Sequence, residues 1–434
     1  MYTLLTLSVA LFAGLMLSRL AKIAKLPAVT AYLIAGILIG PYVIGSLGIK
    51  GLGFISHEEI SSFAILSDVA LGFIAFSIGN EFRLAQLKQT GKQATVIGII
   101  QAVVATVLVD IALISLHFII PDKLPLPAAI ILGAVASATA PAATLMVVRQ
   151  YKAKGPLTDI LLPIVALDDA VGLILFAVSF GVAKALLVGK VDIVSIIVEP
   201  ILEVILSLVL GAIMGYLFSF FERFFHSRSK RMSMSVTFVF LTVALSHLEF
   251  HVFGVHIAFS SLLVCMMLGT IFCNVCDFSE ELMDRIDRWS APLFIIFFVI
   301  SGAELELSIF KDWIIVAVGL VYIIFRSLGK YYGARVSARA VKCDENIVKY
   351  LGITLLPQAG VALGMAIKVK DAFDGTVNAS VGTVVANITL FSVLIYELIG
   401  PYLTKISLLK AGEIEPEGAV SARELEKEKQ QNKA

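Results

Sequence analysis

Long apolar runs separated by short polar breaks dominate the chain. Charged residues, Gly or Pro bound each run, and most runs approach the ~20 residues that a helix needs to cross a bilayer. The pattern predicts thirteen transmembrane helices, at 2–18, 28–47, 60–79, 94–119, 128–148, 160–183, 193–221, 234–250, 253–273, 291–303, 313–334, 347–367 and 378–402. The tenth run is short, and only a tight turn separates the eighth from the ninth.

Lysine and arginine residues concentrate on one side of the predicted membrane. One alternate set of loops, together with the carboxyl-terminal tail, holds 25 of them, and the opposite set holds seven. Because cytoplasmic loops are enriched in basic residues, we expect a cytoplasmic carboxyl terminus and an external amino terminus in the cell (inner) membrane. Basic residues follow the first run instead of preceding it, so this run is predicted to be a retained helix and not a signal peptide.

The composition agrees with an all-α polytopic membrane protein. The chain is 59% hydrophobic and 15% charged, whereas soluble proteins are about 45–50% apolar and about 25% charged. A formal net charge of +1 excludes a nucleic-acid binder that relies on bulk charge. The polar tail, 406–434, is expected to be a frayed helix or disordered.

Two adjacent carboxylates lie near the middle of the sixth predicted helix. Asp168 and Asp169 are about nine residues from its cytoplasmic end, roughly 13 Å at 1.5 Å per residue. A charged side chain at that depth costs about 2.5–3.5 kcal/mol, which makes both residues functional candidates. Adjacent residues of a helix point about 100° apart, so the two carboxylates are expected to have separate roles.

The eleventh predicted helix carries a cation at mid-depth, Arg326. A buried arginine needs a partner, and pairing with Asp168 or Asp169 is the economical solution. Lys330 follows one turn later and closer to the cytoplasmic end, where it is expected to extend toward water as an accessory residue.

Two predicted helices contain proline at depth. Pro141 follows Ser137 and Thr139 in the fifth, and Pro357 precedes Gln358 in the twelfth. Proline removes a backbone hydrogen bond, and in lipid the freed carbonyls must find other partners. Either proline alone is typical of a plain kink, but the corresponding positions of the two prolines in the two halves of the chain favour broken helices.

The broken helices occupy corresponding places in two halves of the chain. If helices 1–6 and 8–13 are six-helix units joined by helix 7, the second unit is inverted relative to the first. The broken helix is then the fifth of each unit, and the Asp pair corresponds in position to Asn387. Paired interrupted helices in an inverted repeat indicate the midplane ion site of a secondary transporter.

These motifs together resemble the sodium/proton exchangers of the second monovalent cation:proton antiporter family. The residues that carry the resemblance are Ser137 to Pro141, Leu167 to Ala170, a basic residue three positions before Gly329, and Pro357 to Leu363. The resemblance covers 1–405. It implies a core of helices 4–6 and 11–13, in which the broken helices cross, a dimerisation domain, and a homodimer.

The resemblance also implies a mechanism and site roles. It implies elevator-type alternating access without a cofactor or enzymatic activity, in which Asp169 binds the cation or the proton and Asp168 pairs with Arg326. Ser137, Thr139, Pro141, Pro357 and Gln358 become candidates for cation coordination or for the helix breaks, with Asn387 and Lys330 as accessory residues. The family most often has lysine where this chain has Arg326, and arginine does not release its proton.

The expected domains follow from this division. They are the first dimerisation-domain helices at 1–92, the first core half at 93–190, the connecting helix at 191–232, the second dimerisation-domain helices at 233–310, the second core half at 311–405 and the tail at 406–434.

Exchange of Na⁺ or Li⁺ for protons is the predicted function, with K⁺/H⁺ exchange as the alternative. A cation channel would need pore-lining rings or a filter loop, and a sodium-coupled organic-anion transporter would need a polar substrate cavity. An aspartyl protease needs two carboxylates that converge on one water, which adjacent residues do not supply. Asp68, near the external end of its helix, is expected to have a funnel or structural role.

Overall fold

The computed structural model describes residues 2–23, 26–80, 82–188, 198–248, 250–252, 255–276, 279–305, 307, 312–373 and 378–414. These residues form helices and one short hairpin of strands β1 (Phe250–Val252) and β2 (Val255–Ile257). The helices are α1 (Tyr2–Ile23), α2 (Ala28–Ile39), α3 (His57–Ser61), α4 (Ala64–Asn80), α5 (Leu84–His117), α6 (Leu126–Val135), α7 (Pro141–Gln150), α8 (Pro156–Val188), α9 (Glu199–Glu222), α10 (Arg228–Ser246), α11 (Ser261–Val275), α12 (Ser279–Glu304), α13 (Trp313–Ala340), α14 (Glu345–Thr354), α15 (Gly360–Phe373) and α16 (Ala379–Ala411), with a 3-10 turn at Gly45–Leu47.

Each of the thirteen predicted spans contains a helix, and the all-helical membrane fold is confirmed. The short tenth run is part of the 26-residue helix α12, because a more polar stretch, 279–290, extends the helix by about three turns before the apolar run. Helix α16 continues to Ala411 and so into the predicted tail. Within the described residues, seven helices are long and apolar enough to cross a membrane. The tail beyond 414 and the predicted start of the seventh span, 193–197, lie outside the described residues.

Glycines let several helices approach to backbone contact. A Cβ atom on Gly36 of α2 or Gly302 of α12 would lie 2.0–2.1 Å from a carbonyl oxygen of the other helix. A Cβ atom on Gly79 of α4 or on Gly269 of α11 would likewise lie 1.9–2.1 Å from a carbonyl oxygen of the other helix. Helices in lipid associate through this kind of close packing, since no hydrophobic effect drives them together. These contacts tie α2 to α12 and α4 to α11.

Helices α5 and α13 make the most extensive helix–helix contact in the described chain. A Cβ on Gly329 would lie 2.5 Å from the Cα of Ala105, and one on Gly333 would lie 2.8 Å from the Cα of Gln101. The two glycines are four residues apart and therefore lie on one face of α13. Their packing places Gln101 of α5 next to Lys330 of α13.

The fifth and twelfth predicted helices are both broken, as expected. The first break separates α6 from α7, which begins with Pro141, and the second separates α14 from α15. The two breaks touch, because the backbone amide of Ala140 donates to the carbonyl of Pro357 at 2.8 Å. This contact confirms the predicted crossing of two broken helices.

Buried apolar side chains fall into three clusters. The first joins α1, α2 and α4 to α9–α12 and also receives residues of α7 and α8. The second lies among α5, α6, α8, α13, α15 and α16, and the third among α5, α7, α8, α13, α14 and the end of α16. The domain boundaries drawn from the sequence stay a prediction.

Candidate functional site

Asp168 is a buried carboxylate whose oxygens are occupied. Its side chain is 0% exposed. Thr139 Oγ1 donates to Oδ2 at 2.6 Å, and Lys330 Nζ lies 3.0 Å from the same oxygen. The Gln101 amide donates to Oδ1. Helices α5 and α13 and the first break thus surround this carboxylate with donors, which is what a buried charge requires.

Asp169, the next residue of α8, lies in a different environment. It is 1% exposed, yet neither carboxylate oxygen accepts a hydrogen bond from a described residue. The ~100° rotation between neighbours on a helix turns it away from the donors around Asp168. A buried carboxylate without donors is costly as a structural feature. Its two oxygens are available to a proton or a cation.

Arg326 does not pair with either aspartate, so the predicted ion pair is wrong. Its three guanidinium nitrogens donate to backbone carbonyls at the crossing, of Ala136 at 3.0 Å, Leu356 at 2.7 Å and Ala138 at 2.6 Å. The guanidinium also stacks 4.4 Å from the ring centroid of Tyr396.

The physical reason lies in the two breaks. Helices α6 and α14 both end at the crossing, and a helix carboxyl end carries free carbonyls and about half a negative charge. One guanidinium has a rigid fork of donors that satisfies both ends at once, whereas a carboxylate would leave those carbonyls unpaired in an apolar interior.

Lys330 is the cation that pairs with Asp168, contrary to the expectation that it extends toward water. It is 0% exposed, and its Nζ also donates to Thr139 Oγ1 at 2.9 Å and to the carbonyl of Ser137. The close approach of α5 and α13 holds it at this depth. The partner of the buried carboxylate is therefore a lysine, a residue that releases its proton far more readily than arginine.

Gln358 connects the second break to its surroundings. Its amide nitrogen donates to the carbonyl of Val135 at 3.0 Å and to Tyr322 Oη at 2.9 Å. Its amide oxygen accepts from Ser392 Oγ at 3.0 Å. These contacts make Gln358 a bridge between α6, α13 and α16.

The other predicted residues divide into two groups. Ser137 and Pro357 lie at the crossing and supply backbone carbonyls to Lys330 and Ala140, and Pro141 begins α7. Asn387 lies half-buried on α16, and no hydrogen bond within the described chain joins it to either aspartate. The crossing therefore assembles every candidate except Asn387.

The sequence reasoning missed Gln101, Tyr322 and Tyr396. Gln101 is a fully buried polar residue within the fourth predicted helix, and that position could have singled it out. The two tyrosines look like ordinary residues of apolar helices. Tyr322 accepts from Gln358 of the second break, whereas the Tyr396 hydroxyl bonds Ser327 and the carbonyl of Ile323 on α13.

A cavity of about 640 Å³ opens at the α7–α8 turn and reaches α8 at Leu162 and Pro163. An ion pair between Arg149 of α7 and Asp287 of α12 lies on its wall. No group of three or more His, Cys, Asp or Glu side chains suited to a metal ion occurs in the described ranges.

Comparison with known proteins identifies the family. The family model of the sodium/hydrogen exchanger, transmembrane, matches residues 7–405. The chain belongs to this family. Membership confirms the resemblance to sodium/proton exchangers. The proteins of this family are multi-pass membrane transporters of monovalent cations and protons, and this chain is one of them. The branch within the family stays a prediction.

Two curated relatives resemble the exchanger over most of their length. The Na⁺/H⁺ antiporter NhaS4 of Synechocystis sp. is 26% identical over 350 residues, which are 78% of this chain and 81% of the relative. The K⁺/H⁺ antiporter subunit KhtU of Bacillus subtilis is 23% identical over 395 residues, 90% of each chain.

Two solved structures of the sodium proton antiporter MjNhaP1 from Methanocaldococcus jannaschii share the fold of the exchanger. One gives a TM-score of 0.67 at 18% identity and covers 95% of this chain and 97% of its own. The other gives a TM-score of 0.72 at 16% identity, with 94% and 98% covered.

Proposed function

We propose that the exchanger transports Na⁺ or Li⁺ in one direction and protons in the other, and that both bind Asp169 in turn. The observation that carries the proposal is the contrast between Asp168, whose oxygens accept hydrogen bonds, and Asp169, whose buried oxygens accept none from a described residue. The similarity to NhaS4, a Na⁺/H⁺ antiporter, supports the choice of sodium.

The charges explain why the two ions compete. Asp168 and Lys330 form a pair with no net charge, and the Arg326 charge faces the carbonyl ends of two half-helices. Asp169 then adds one negative charge to an apolar interior. One proton or one monovalent cation neutralises it, whereas binding both would leave a net positive charge in a medium of low dielectric constant.

Coordination of the cation needs more oxygen atoms than one carboxylate offers. We propose that Thr139 and the carbonyls of the first break, including Ser137, provide them, with Gln358 holding the second break in place. Because Thr139 now contacts Asp168 and Lys330, this coordination requires the polar cluster to rearrange as the cation arrives.

Alternating exposure is proposed to follow from an elevator-like movement of the core helices, at 93–190 and 311–405, past the remaining helices. The cavity beside the Arg149–Asp287 ion pair supports this, since it lies between α7–α8 and α12. We further propose a homodimer in the cell (inner) membrane, with an external amino terminus and a cytoplasmic carboxyl terminus, as the distribution of basic residues indicates.

K⁺/H⁺ exchange is the second candidate. The match to KhtU, described as a K⁺/H⁺ antiporter subunit, spans 90% of both chains. The oxygen ligands that we propose suit either alkali ion, so a transport assay must decide between them.

The test is proton flux in proteoliposomes that contain a pH-sensitive dye, after addition of NaCl, LiCl or KCl. The wild type should show flux with Na⁺ and Li⁺, and Asp169→Asn should abolish it. The matched control is Asp110→Asn, which changes a half-buried aspartate on α5 beside Gly133 whose Oδ1 accepts no hydrogen bond from a described residue, and should retain flux. Near-normal flux in Asp169→Asn would overturn the assignment, and flux with K⁺ alone would select the second candidate.

A further inference from the structure

A second cavity, of about 260 Å³, lies between α4, α12 and the helix crossing. Its inner wall includes Pro141 and Gly360, the first residues of α7 and α15. Three carboxylates from three different helices line it, and they are Asp68 of α4, Glu304 of α12 and Glu397 of α16. None of the residues assigned to the Asp168–Lys330 cluster lines this cavity.

The deepest of these carboxylates has one buried oxygen that is without a partner in the described part of the chain. Glu397 is 5% exposed, and its Oε2 atom accepts no hydrogen bond from a described residue. Glu304 is accessible, and Asp68 is 44% exposed with Oδ2 3.6 Å from His247 Nε2. The carboxylates therefore run from an accessible mouth to a buried end.

The electrostatics of the cavity favour a positive ion. Asp68, Glu304 and Glu397 place three acidic groups on the wall of one cavity. The described residues that line this cavity include no lysine or arginine. A wall of low dielectric constant with one sign of charge raises the local concentration of counter-ions.

The size and spacing restrict the ion. No three of the described His, Cys, Asp or Glu side chains are grouped closely enough to hold a metal ion directly between them, so an ion in this cavity must keep water molecules between itself and at least one of the carboxylates. At about 30 Å³ per water molecule, the cavity has room for roughly nine waters. A monovalent cation that keeps part of its hydration shell fits this space.

We propose that Asp68, Glu304 and Glu397 form a second binding site for a monovalent cation, which holds the ion beside the crossing before it moves to Asp169. The proposal rests on the proposed cation transport, but it concerns different residues. The proposal predicts that loss of this site changes the apparent affinity for the cation and not the maximal rate of exchange. Glu397→Gln should raise the cation concentration for half-maximal exchange roughly tenfold while the maximal rate changes little. The reason is that the variant weakens cation binding at the second site and leaves Asp169, the proposed transport site, unchanged.

A binding measurement separates the two sites. Thermal unfolding of the purified exchanger is followed in NaCl and in choline chloride at equal ionic strength, since an ion that binds the folded protein raises Tm. Asp169→Asn and Glu397→Gln should each keep roughly half of the sodium-dependent rise, and the double variant should lose it. Asp169→Asn combined with Asp110→Asn is the matched control and should behave like Asp169→Asn alone.

Two results would overturn the second site. In one, Asp169→Asn alone removes the whole sodium-dependent rise. In the other, adding Glu397→Gln to Asp169→Asn leaves the remaining rise unchanged. If Glu397→Gln does not fold, Glu304→Gln replaces it, with the same expected loss. Failure of the proposed function is distinct, because it would appear as exchange by Asp169→Asn in proteoliposomes.

Discussion

Lys330 Nζ and Asp168 Oδ2 lie 3.0 Å apart, and both side chains are fully buried. The pair sits where α5, α13 and the first helix break meet. Asp169, one residue further along α8, receives no hydrogen bond from the residues that the structure describes. The site thus contains the Asp168–Lys330 pair, which has no net charge, and next to it the Asp169 carboxylate, whose oxygens are available to an ion.

The first prediction concerns this pair. Lys330→Ala leaves a carboxylate buried without its cation and should lower the free energy of unfolding by about 3–5 kcal/mol. Adding Asp168→Asn should restore part of the loss, since the uncompensated charge disappears. Thermal unfolding of the two single variants and the double variant measures the coupling.

Lys349→Ala is the control for that cycle, because Lys349 pairs with Glu345 at the surface and its side chain is 49% exposed. An exposed pair contributes about 0–1 kcal/mol, so this variant should unfold like the wild type. Strict additivity of Lys330→Ala and Asp168→Asn would argue against the buried pair.

The sequence predicts best those features that depend on the length of an apolar run or on the position of a proline. The thirteen spans follow from bilayer thickness, and the breaks follow from Pro141 and Pro357 at depth. The buried Asp168–Asp169 pair also follows from the sequence, because charges inside membranes are rarely incidental, whereas the crossing of the two breaks was expected from the family resemblance alone.

The partners of Arg326 and Lys330 could not be assigned in this way. Hydropathy gives the depth of a helix only approximately and says nothing about its rotation, and both cations lie on the same helix one turn apart. The decisive quantity was the number of free carbonyls at the crossing, and these belong to the backbone and have no sequence signature. The Gly329–Gly333 spacing was an available signal for the depth of Lys330.

The second prediction follows from the contacts of Arg326. Arg326→Lys keeps the charge but replaces a fork of donors to three carbonyls with a single ammonium group. Each carbonyl left unsatisfied costs about 1–3 kcal/mol, so Tm should fall clearly. Asp168→Asn should not rescue this variant, and rescue would mean that Arg326 does pair with that carboxylate.

The third prediction tests the packing that places Lys330. Gly329→Val introduces a side chain against the backbone of Ala105, 2.5 Å from the new Cβ, and should separate α5 from α13. We expect lower stability and reduced exchange. Gly364→Val is the control, since a Cβ there meets nothing within 4 Å. Equal behaviour of the two variants would contradict the role of the close contact.

The fourth prediction concerns Glu413, just after α16. Its carboxylate accepts hydrogen bonds from the amides of Leu157 and Thr158 at 2.6 and 2.8 Å and so caps the amino end of α8, the helix that carries both aspartates. Loss of such a cap costs about 0.5–2 kcal/mol. A chain ending at Ile414 should therefore keep its Tm, whereas one ending at Gly412 should unfold at lower temperature. Equal Tm values would show that the cap does not stabilise α8.

The central claim is that Asp169 binds the transported cation, and a structure of the exchanger in a thallium salt tests it most directly. Thallium is an electron-rich substitute for an alkali ion. Its density should lie against the Asp169 carboxylate, within about 3 Å of an oxygen, and Asp169→Asn should remove it. Density bound to Asp168 in place of Lys330, with none at Asp169, would contradict the account.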